Sequence, residues 1–239
     1  MIIPNLVLST FTGAKPKLLD LFCGAGGASM GYCRAGFEVE GVDIKPRKHY
    51  PFKFHLADAL EFPLEGYDAY HASPPCQRFS QSVNKVNRPK HPDYILAIRL
   101  RLLNTEKPYV IENVPRAPLI NYATLCGSSF GLPIRRHRLF ESNIFIPVMP
   151  CSHSEYPRKY PCAWNRNTPL RVLSISGGYQ HGISLEEHKE AMGITWRISY
   201  RELSEAIPPV YTEYIGQYLL RYLSRSPGQG DKGGEGRVG

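Results

Sequence analysis

The stretch Lys17-Leu18-Leu19-Asp20-Leu21-Phe22-Cys23-Gly24-Ala25-Gly26-Gly27 decides how the chain is read. It begins as a short apolar run of strand length and then turns through glycines at 24, 26 and 27, where bulky residues are disfavoured. Helix formers resume from Ala28 to Ala35, and Gly36 supplies a left-handed cap. Phe37-Glu38-Val39-Glu40-Gly41-Val42-Asp43 then alternates as a second strand closing on a carboxylate. Strand, glycine turn, helix and strand-end acid form the layout of a nucleotide-type cofactor site. Glycines let the backbone approach the ligand, and an acid roughly 20 residues on binds ribose hydroxyls. Ser29 stands where the dinucleotide fingerprint has its third glycine, so a cofactor without pyrophosphate is favoured.

Working outward, strand-like runs recur at Tyr67–Ala72 and Tyr109–Glu112. Between them Tyr94–Thr105 reads as a helix with Ile95, Ile98 and Leu102 on one face. Alternating strands and helices give an α/β sandwich around a parallel sheet. After Phe140 the character changes. Residues 141–182 are rich in Pro, Ser, Tyr and Arg with weak periodicity, and helical patterning returns at Leu185–Met192 and Tyr211–Leu223.

At 239 residues and 42% hydrophobic, the chain suits one sizeable domain with an ordinary core, which excludes wholesale disorder. No apolar run reaches the length of a membrane span, and the N-terminus carries no secretory pattern, so a cytoplasmic protein is expected. The net charge is +8. It is concentrated: residues 78–107 hold seven Lys/Arg and two acids, residues 135–171 hold the same numbers, and the tail is nearly balanced. Two internal basic segments suit an ordered surface for a polyanion.

Two positions carry chemistry beyond the glycine turn. Ser73-Pro74-Pro75-Cys76-Gln77 follows the Tyr67–Ala72 run, at the carboxyl end of the sheet where open α/β folds place chemistry. The prolines stiffen the turn, and a thiol presented there is a nucleophile if nearby cations such as Arg78 lower its pKa. The alternative is a structural cysteine. Tyr109-Val110-Ile111-Glu112-Asn113 drives a carboxylate into the end of an apolar strand, which is costly unless the acid is paired or functional.

The order of four motifs resembles the DNA (cytosine-5-)methyltransferase family. They are Asp20 to Gly27, Pro74-Pro75-Cys76-Gln77, Glu112-Asn113-Val114 and Arg136-His137-Arg138, and Ile207-Pro208-Pro209 is similar to the family's final motif. The family's Gly-Asn pair before that motif reads Ser204-Glu205 here, and Ile134 stands in place of the Gln that opens the arginine motif. The resemblance implies a Rossmann-like class I S-adenosylmethionine-dependent fold with a small loop-rich recognition insert. It implies Cys76 as the nucleophile for cytosine C6, Glu112 as the group that holds N3, and Arg136 and Arg138 beside the base. Phe22, Gly24, Gly26, Gly27, Asp43 with Ile44, and Asp58 with Ala59 match the pocket for S-adenosylmethionine. Asp43 is a shorter acid than the Glu usual in the family. The substrate implied is double-stranded DNA with the target base flipped out, and the Arg78–Lys90 segment matches a loop that closes over it. Transfer to tRNA and a silent nucleic-acid-binding protein are the rival readings.

The resemblance divides the chain into a leader (1–16), a catalytic and cofactor-binding domain (17–140), a recognition insert (141–200), a returning C-terminal helix (201–223) and a tail (224–239). So short an insert is similar to compact phage and prophage members of restriction-modification systems. It implies short or relaxed specificity, and leaves room for a companion restriction or recognition protein. Arg158, Lys159, Arg166 and Arg171 lie among Tyr156, Tyr160 and Trp164, a mixture suited to phosphate contact and stacking. Cys151, His153 and Cys162, joined by Cys126, offer zinc donors, but their spacing matches no standard finger, so free thiols are expected and no metal site is assigned.

Overall fold

A computed structural model describes residues 14–151, 175 and 184–225. Seven strands form one sheet: β1 (Lys17–Leu21), β2 (Glu38–Asp43), β3 (Lys53–Leu56), β4 (Ala69–Ala72), β5 (Tyr109–Asn113), β6 (Tyr122–Leu125) and β7 (Arg138–Ser142), in spatial order β3-β2-β1-β4-β5-β7-β6. The first five run parallel to one another, while β7 runs antiparallel to both β5 and β6. The order reverses between β1 and β4, and at such a switch point the carboxyl ends of strands open a crevice.

The helices are α1 (Gly27–Ala35), α2 (Ile95–Leu103), α3 (Leu185–Met192), α4 (Tyr200–Glu205) and α5 (Pro209–Ser224). Both sheet faces are covered, and the period-2 alternation of β1 shows how. Leu18 points into the core shared with α1 and α5, through Tyr32, Tyr211, Ile215 and Leu219. Leu19 and Leu21 point the other way, into the core shared with Ile95, Ile98 and Leu102 of α2. Among the described residues no helix is long and apolar enough to cross a membrane.

The sequence expectations at β1, α1, β2, α2, β5, α3 and α5 are met to within two residues, and β4 begins two residues late. Strands β3, β6 and β7 and helix α4 were not anticipated. The β3 strand, Lys-Phe-His-Leu, is held to β2 by polar groups: Glu40 accepts from Lys53 Nζ (2.8 Å), sits 2.7 Å from His55 Nε2 and accepts from Tyr67 Oη (2.9 Å). An apolar-periodicity reading misses such a strand. The expected boundary between residues 140 and 141 falls inside β7. The leader up to residue 13, most of the insert, with its basic and aromatic residues, His153 and Cys162, and the tail from 226 lie outside the described residues.

Helices α1 and α5 touch at glycines. A Cβ on Gly31 would stand 2.0 Å from the Pro209 carbonyl oxygen and 2.1 Å from Thr212 Oγ1, and one on Gly216 would stand 2.6 Å from Ala35 Cβ. The close approach lets Thr212 Oγ1 donate across the interface to the Ala28 carbonyl at 2.8 Å. Gly31→Ala is expected to lower stability by about 2–3 kcal/mol through overpacking, read as a reduced midpoint in urea denaturation.

Beneath the glycine turn Asp20 is fully buried, accepts a hydrogen bond from Ser29 Oγ, and leaves its Oδ1 without a hydrogen-bond partner among the described residues. Because Ser29 donates to Asp20, Tyr50 Oη must donate to Ser29 Oγ (2.7 Å). The residue that departs from the three-glycine fingerprint therefore solvates a buried acid. Burial raises the Asp20 carboxyl to about 7. The unfolded carboxyl titrates near 3.9, so this group's contribution to stability is full at low pH and is lost as pH rises from about 4 to 7. Asp20→Asn should be more stable than wild type at pH 8, by on the order of a few kcal/mol, with the gap closing toward pH 4. Urea midpoints across that range check it, and an equal gap at both ends would place the proton elsewhere.

Candidate active site

Cys76 lies just past β4, on a turn tied down from two sides. The Ser73 N–H donates to the Leu21 carbonyl (3.1 Å), and Asn113 Nδ2 donates to the Pro74 carbonyl (2.9 Å) while Asn113 Oδ1 accepts from the Val114 N–H (2.9 Å). Beyond the thiol the Phe79 and Ser80 N–H groups close back on the Cys76 carbonyl, at 3.0 and 2.9 Å. Glu112 is the penultimate residue of β5 and is buried. Its Oε1 lies 3.0 Å from Nε of Arg138, the first residue of β7. The antiparallel pairing of β5 with β7 brings this cation to the acid.

Arg136 behaves differently. Its buried guanidinium donates to the carbonyls of Ser204 and Ala206, both at 2.6 Å, and to that of Ile175 at 3.1 Å. Its own carbonyl accepts from Tyr211 Oη at 2.6 Å. Of the two arginines, Arg138 contacts the acid and Arg136 fastens the C-terminal segment behind it. Burial and the Arg138 charge bring the Arg136 guanidinium down to about 9.

The expectation that cations depress the Cys76 thiol is overturned. Burial, followed by the Glu112 charge, raises it, and Arg138 and Arg136 only partly oppose them. Arg78 is not among these influences. Its Nη1 donates to the carbonyls of Pro89 (3.1 Å) and His91 (3.0 Å), so it folds onto the base of its own loop. Burial also raises Glu112, against Arg138, Arg136 and a hydrogen bond from Ser73.

Ser73 ends a relay that sequence reasoning missed. Tyr32 Oη lies 2.9 Å from His71 Nδ1, His71 Nε2 lies 2.9 Å from Ser73 Oγ, and Ser73 bonds Glu112. If Ser73 donates to the carboxyl, it accepts from His71 Nε2–H, which leaves Nδ1 to accept from Tyr32. Burial holds His71 down to about 3, so the ring is neutral. No motif marks it, because a lone His inside the strand Ala-Tyr-His-Ala reads as core. Its one signal is a polar residue between apolar neighbours.

The expected cofactor residues gather at the same edge, around the switch point. Phe22 follows β1 with a left-handed φ of 59°, a conformation a bulky residue adopts under constraint, and its ring stacks on Tyr94 with centroids 6.3 Å apart. Gly24 and Gly26 also have positive φ, and the space a Gly24 Cβ would enter is open. Trp196 Nε1 donates to the Ala25 carbonyl (2.8 Å), bracing the turn from the C-terminal half. Asp43 ends β2 with its carboxylate accepting from the Gly24 N–H (3.1 Å), the Lys45 N–H (2.9 Å) and Arg47 Nη2 (2.9 Å). Next to it Ile44 is 66% exposed, an apolar side chain that a flat ring would cover. Asp58 makes an Asx turn with the Leu60 N–H (2.8 Å), beside the buried Ala59. An open glycine turn, a strand-end acid and an exposed aliphatic group fit a nucleoside. The Arg47 guanidinium on Asp43 is also 4.0 Å from Glu202 and from Glu205.

Residues 16–118 match the family model of C-5 cytosine-specific DNA methylase. A curated relative, the type II methyltransferase M.FnuDI of Fusobacterium nucleatum, is 32% identical over 110 residues, which cover 41% of this chain and 32% of the relative. The chain thus spans about a third of that relative's length. Among solved structures, a putative DNA modification methyltransferase encoded within an E. coli prophage superposes with a TM-score of 0.59 at 16% identity, covering 88% of this chain and 100% of that one. The Spodoptera frugiperda DNMT2 mutant gives 0.61 at 15% identity, covering 86% and 100%. The Entamoeba histolytica methyltransferase EhMeth gives 0.62 at 14%, covering 89% and 100%. The fold is accordingly the Rossmann-like α/β sandwich that these solved structures share, and over residues 16–118 the chain is similar to the C-5 cytosine-specific DNA methylase family.

Proposed function

We propose that the chain methylates C5 of cytosine in double-stranded DNA, using S-adenosylmethionine and a covalent bond from Cys76 to cytosine C6. The observation that carries this reading is the convergence of Cys76, Glu112 and Arg138 on one strand edge, beside the open glycine turn. Phe22, Gly24, Gly26, Gly27, Asp43, Ile44, Asp58 and Ala59 would hold the cofactor, which supplies a methyl group on a positively charged sulfur.

Cytosine C5 is a weak nucleophile, so the ring must first be activated. In this reading the Cys76 thiolate adds to C6, and the electron pair displaced from the C5–C6 bond makes C5 nucleophilic. A protonated Glu112 donates to N3 and draws electron density from C6. Burial favours that protonation, and the neutral His71 relay fixes which way the carboxyl faces. Arg138 sits where a cation steadies charge that develops on the base. After methylation the C5 proton leaves to a base, its electron pair restores the double bond and the thiolate is expelled. Since C6 is inaccessible within a duplex, the base must be flipped out, at a cost of about a few kcal/mol. Target choice falls to residues 141–200 in this reading, with the Arg78–Lys90 segment closing over the base.

Two outcomes test the reading. A duplex carrying 5-fluorocytosine should trap an adduct that depends on both Cys76 and S-adenosylmethionine, because fluorine cannot leave as a proton does. Cys76→Ser should form no adduct and lose about three orders of magnitude or more of methyl transfer. Cofactor binding without adduct or transfer in any cytosine context would sink the proposal, and labelling of tRNA in preference to DNA would move the substrate to RNA.

The second outcome concerns the thiol. Glu112 raises Cys76 while Arg138 lowers it. Glu112→Gln should therefore shift the pH profile of iodoacetamide alkylation at Cys76 to lower pH, with a severalfold faster rate near neutrality, and Arg138→Ala should shift it upward. Cys76→Ser supplies the background from the other cysteines. Unchanged profiles would mean that the three groups are not neighbours in solution.

A further inference from the structure

We infer that Cys126, His137 and Cys151 form a binding site for a thiophilic divalent cation, zinc by its donor chemistry. One donor atom from each residue lies within 4.8 Å of the other two, and Cys151 Sγ is 3.4 Å from His137 Nε2. Zinc bound to sulfur at about 2.3 Å and to nitrogen at about 2.0 Å sets tetrahedral ligand atoms roughly 3.5–3.8 Å apart, so small side-chain adjustments would seat the ion. The donors are two thiols and an imidazole, which selects zinc over oxygen-seeking magnesium or calcium. Two thiolates and a neutral imidazole would cancel the ion's charge, which matters next to Arg135, Arg136 and Arg138.

The fold presents these donors for a local reason. In the antiparallel ladder Leu125 stands opposite Arg138, so the next positions along, Cys126 and His137, also face each other. Gly127 keeps the chain after Cys126 close to the arginine segment, since a Cβ there would lie 2.4 Å from Ile134 Cγ1 and 2.6 Å from the Ile134 carbonyl. Ser129 Oγ donates to the Pro150 carbonyl (2.9 Å), which holds the chain just before Cys151. Ser128 Oγ donates to Cys126 Sγ (3.4 Å), the kind of outer hydrogen bond that orients a metal ligand. Cys126 is buried and Cys151 exposed, so an ion has an entry path.

The sequence expectation paired Cys151 with His153 and Cys162, whereas this set uses His137. That residue separates the two arginines, one of which clamps the C-terminal segment while the other pairs with Glu112. An ion here would tie the start of β7 to β6 and to the first residues after the sheet. It would act on catalysis only by positioning Arg138.

The test is metal content and spectroscopy of the full chain. Protein purified under reducing conditions and supplied with zinc(II) should hold one equivalent by mass spectrometry. Cobalt(II) should give the intense visible bands of a tetrahedral site and a sulfur-to-metal charge-transfer band. Cys151→Ser, at an exposed position that should not disturb folding, should lose the charge-transfer intensity and at least tenfold in zinc affinity, as should His137→Ala. Cys33→Ser, outside the cluster, should keep both. Retained affinity in Cys151→Ser would overturn the assignment. So would the absence of bound zinc and cobalt bands in the wild type, or isolation of a metal-free protein with a Cys126–Cys151 disulfide.

Discussion

The buried guanidinium of Arg136 is the interaction on which the arrangement of the site depends. It gathers the carbonyls of Ser204, Ala206 and Ile175, and its own carbonyl takes the hydroxyl of Tyr211. A cation this deep in the protein is costly unless carbonyls solvate it. Satisfying it fixes where the C-terminal segment meets the sheet. That segment then continues as α5, packs on α1 through Gly31 and Gly216, and covers the core that includes Leu18. With Arg136 committed behind the strand, Arg138 is the arginine left to face Glu112. The division of labour follows from two residues of spacing, with Arg136 just before β7 and Arg138 at its start.

Hydrogen bonds that cross between strand ends then set the geometry of the candidate site. Asn113 fastens the Pro74 carbonyl, so the end of β5 holds the turn that presents Cys76. The His71 relay runs beneath, from Tyr32 on α1 to Ser73 and the Glu112 carboxyl. These groups sit in a partly desolvated pocket, which explains why both the thiol and the acid lie above their usual ranges despite two arginines nearby. Desolvation opposes charge in each group more strongly than the cations favour it. Both shifts favour the neutral forms of the acid and the thiol.

Much of the site was legible in the sequence. The glycine turn, the Pro-Pro-Cys turn, the Glu at the end of an apolar strand and the arginine pair each sit where side-chain chemistry and chain direction are locally encoded. A parallel sheet then carries the glycine, Pro-Pro-Cys and Glu motifs to the carboxyl ends of its strands, and the antiparallel β7 brings Arg138 to Glu112. What was not legible has a common cause. Strand β3 is held by a polar ladder around Glu40, β6 and β7 form an edge hairpin, and Asp20, His71 and Ser29 answer to partners far along the chain. Arg78, expected to activate the thiol, instead solvates carbonyls of its own loop.

The sequence alone determined the class of fold and pointed to the candidate site residues, because hydrophobic periodicity and glycine, proline and strand-end signals act within a few residues. Tertiary structure alone decided which partner each charged group takes. It sent Arg136 to backbone carbonyls and Arg138 to Glu112, and brought His137 together with Cys126 and Cys151. Those choices depend on distances of a few ångströms between segments tens of residues apart, and burial sets their energetic weight. Neither distance nor burial is written in local sequence.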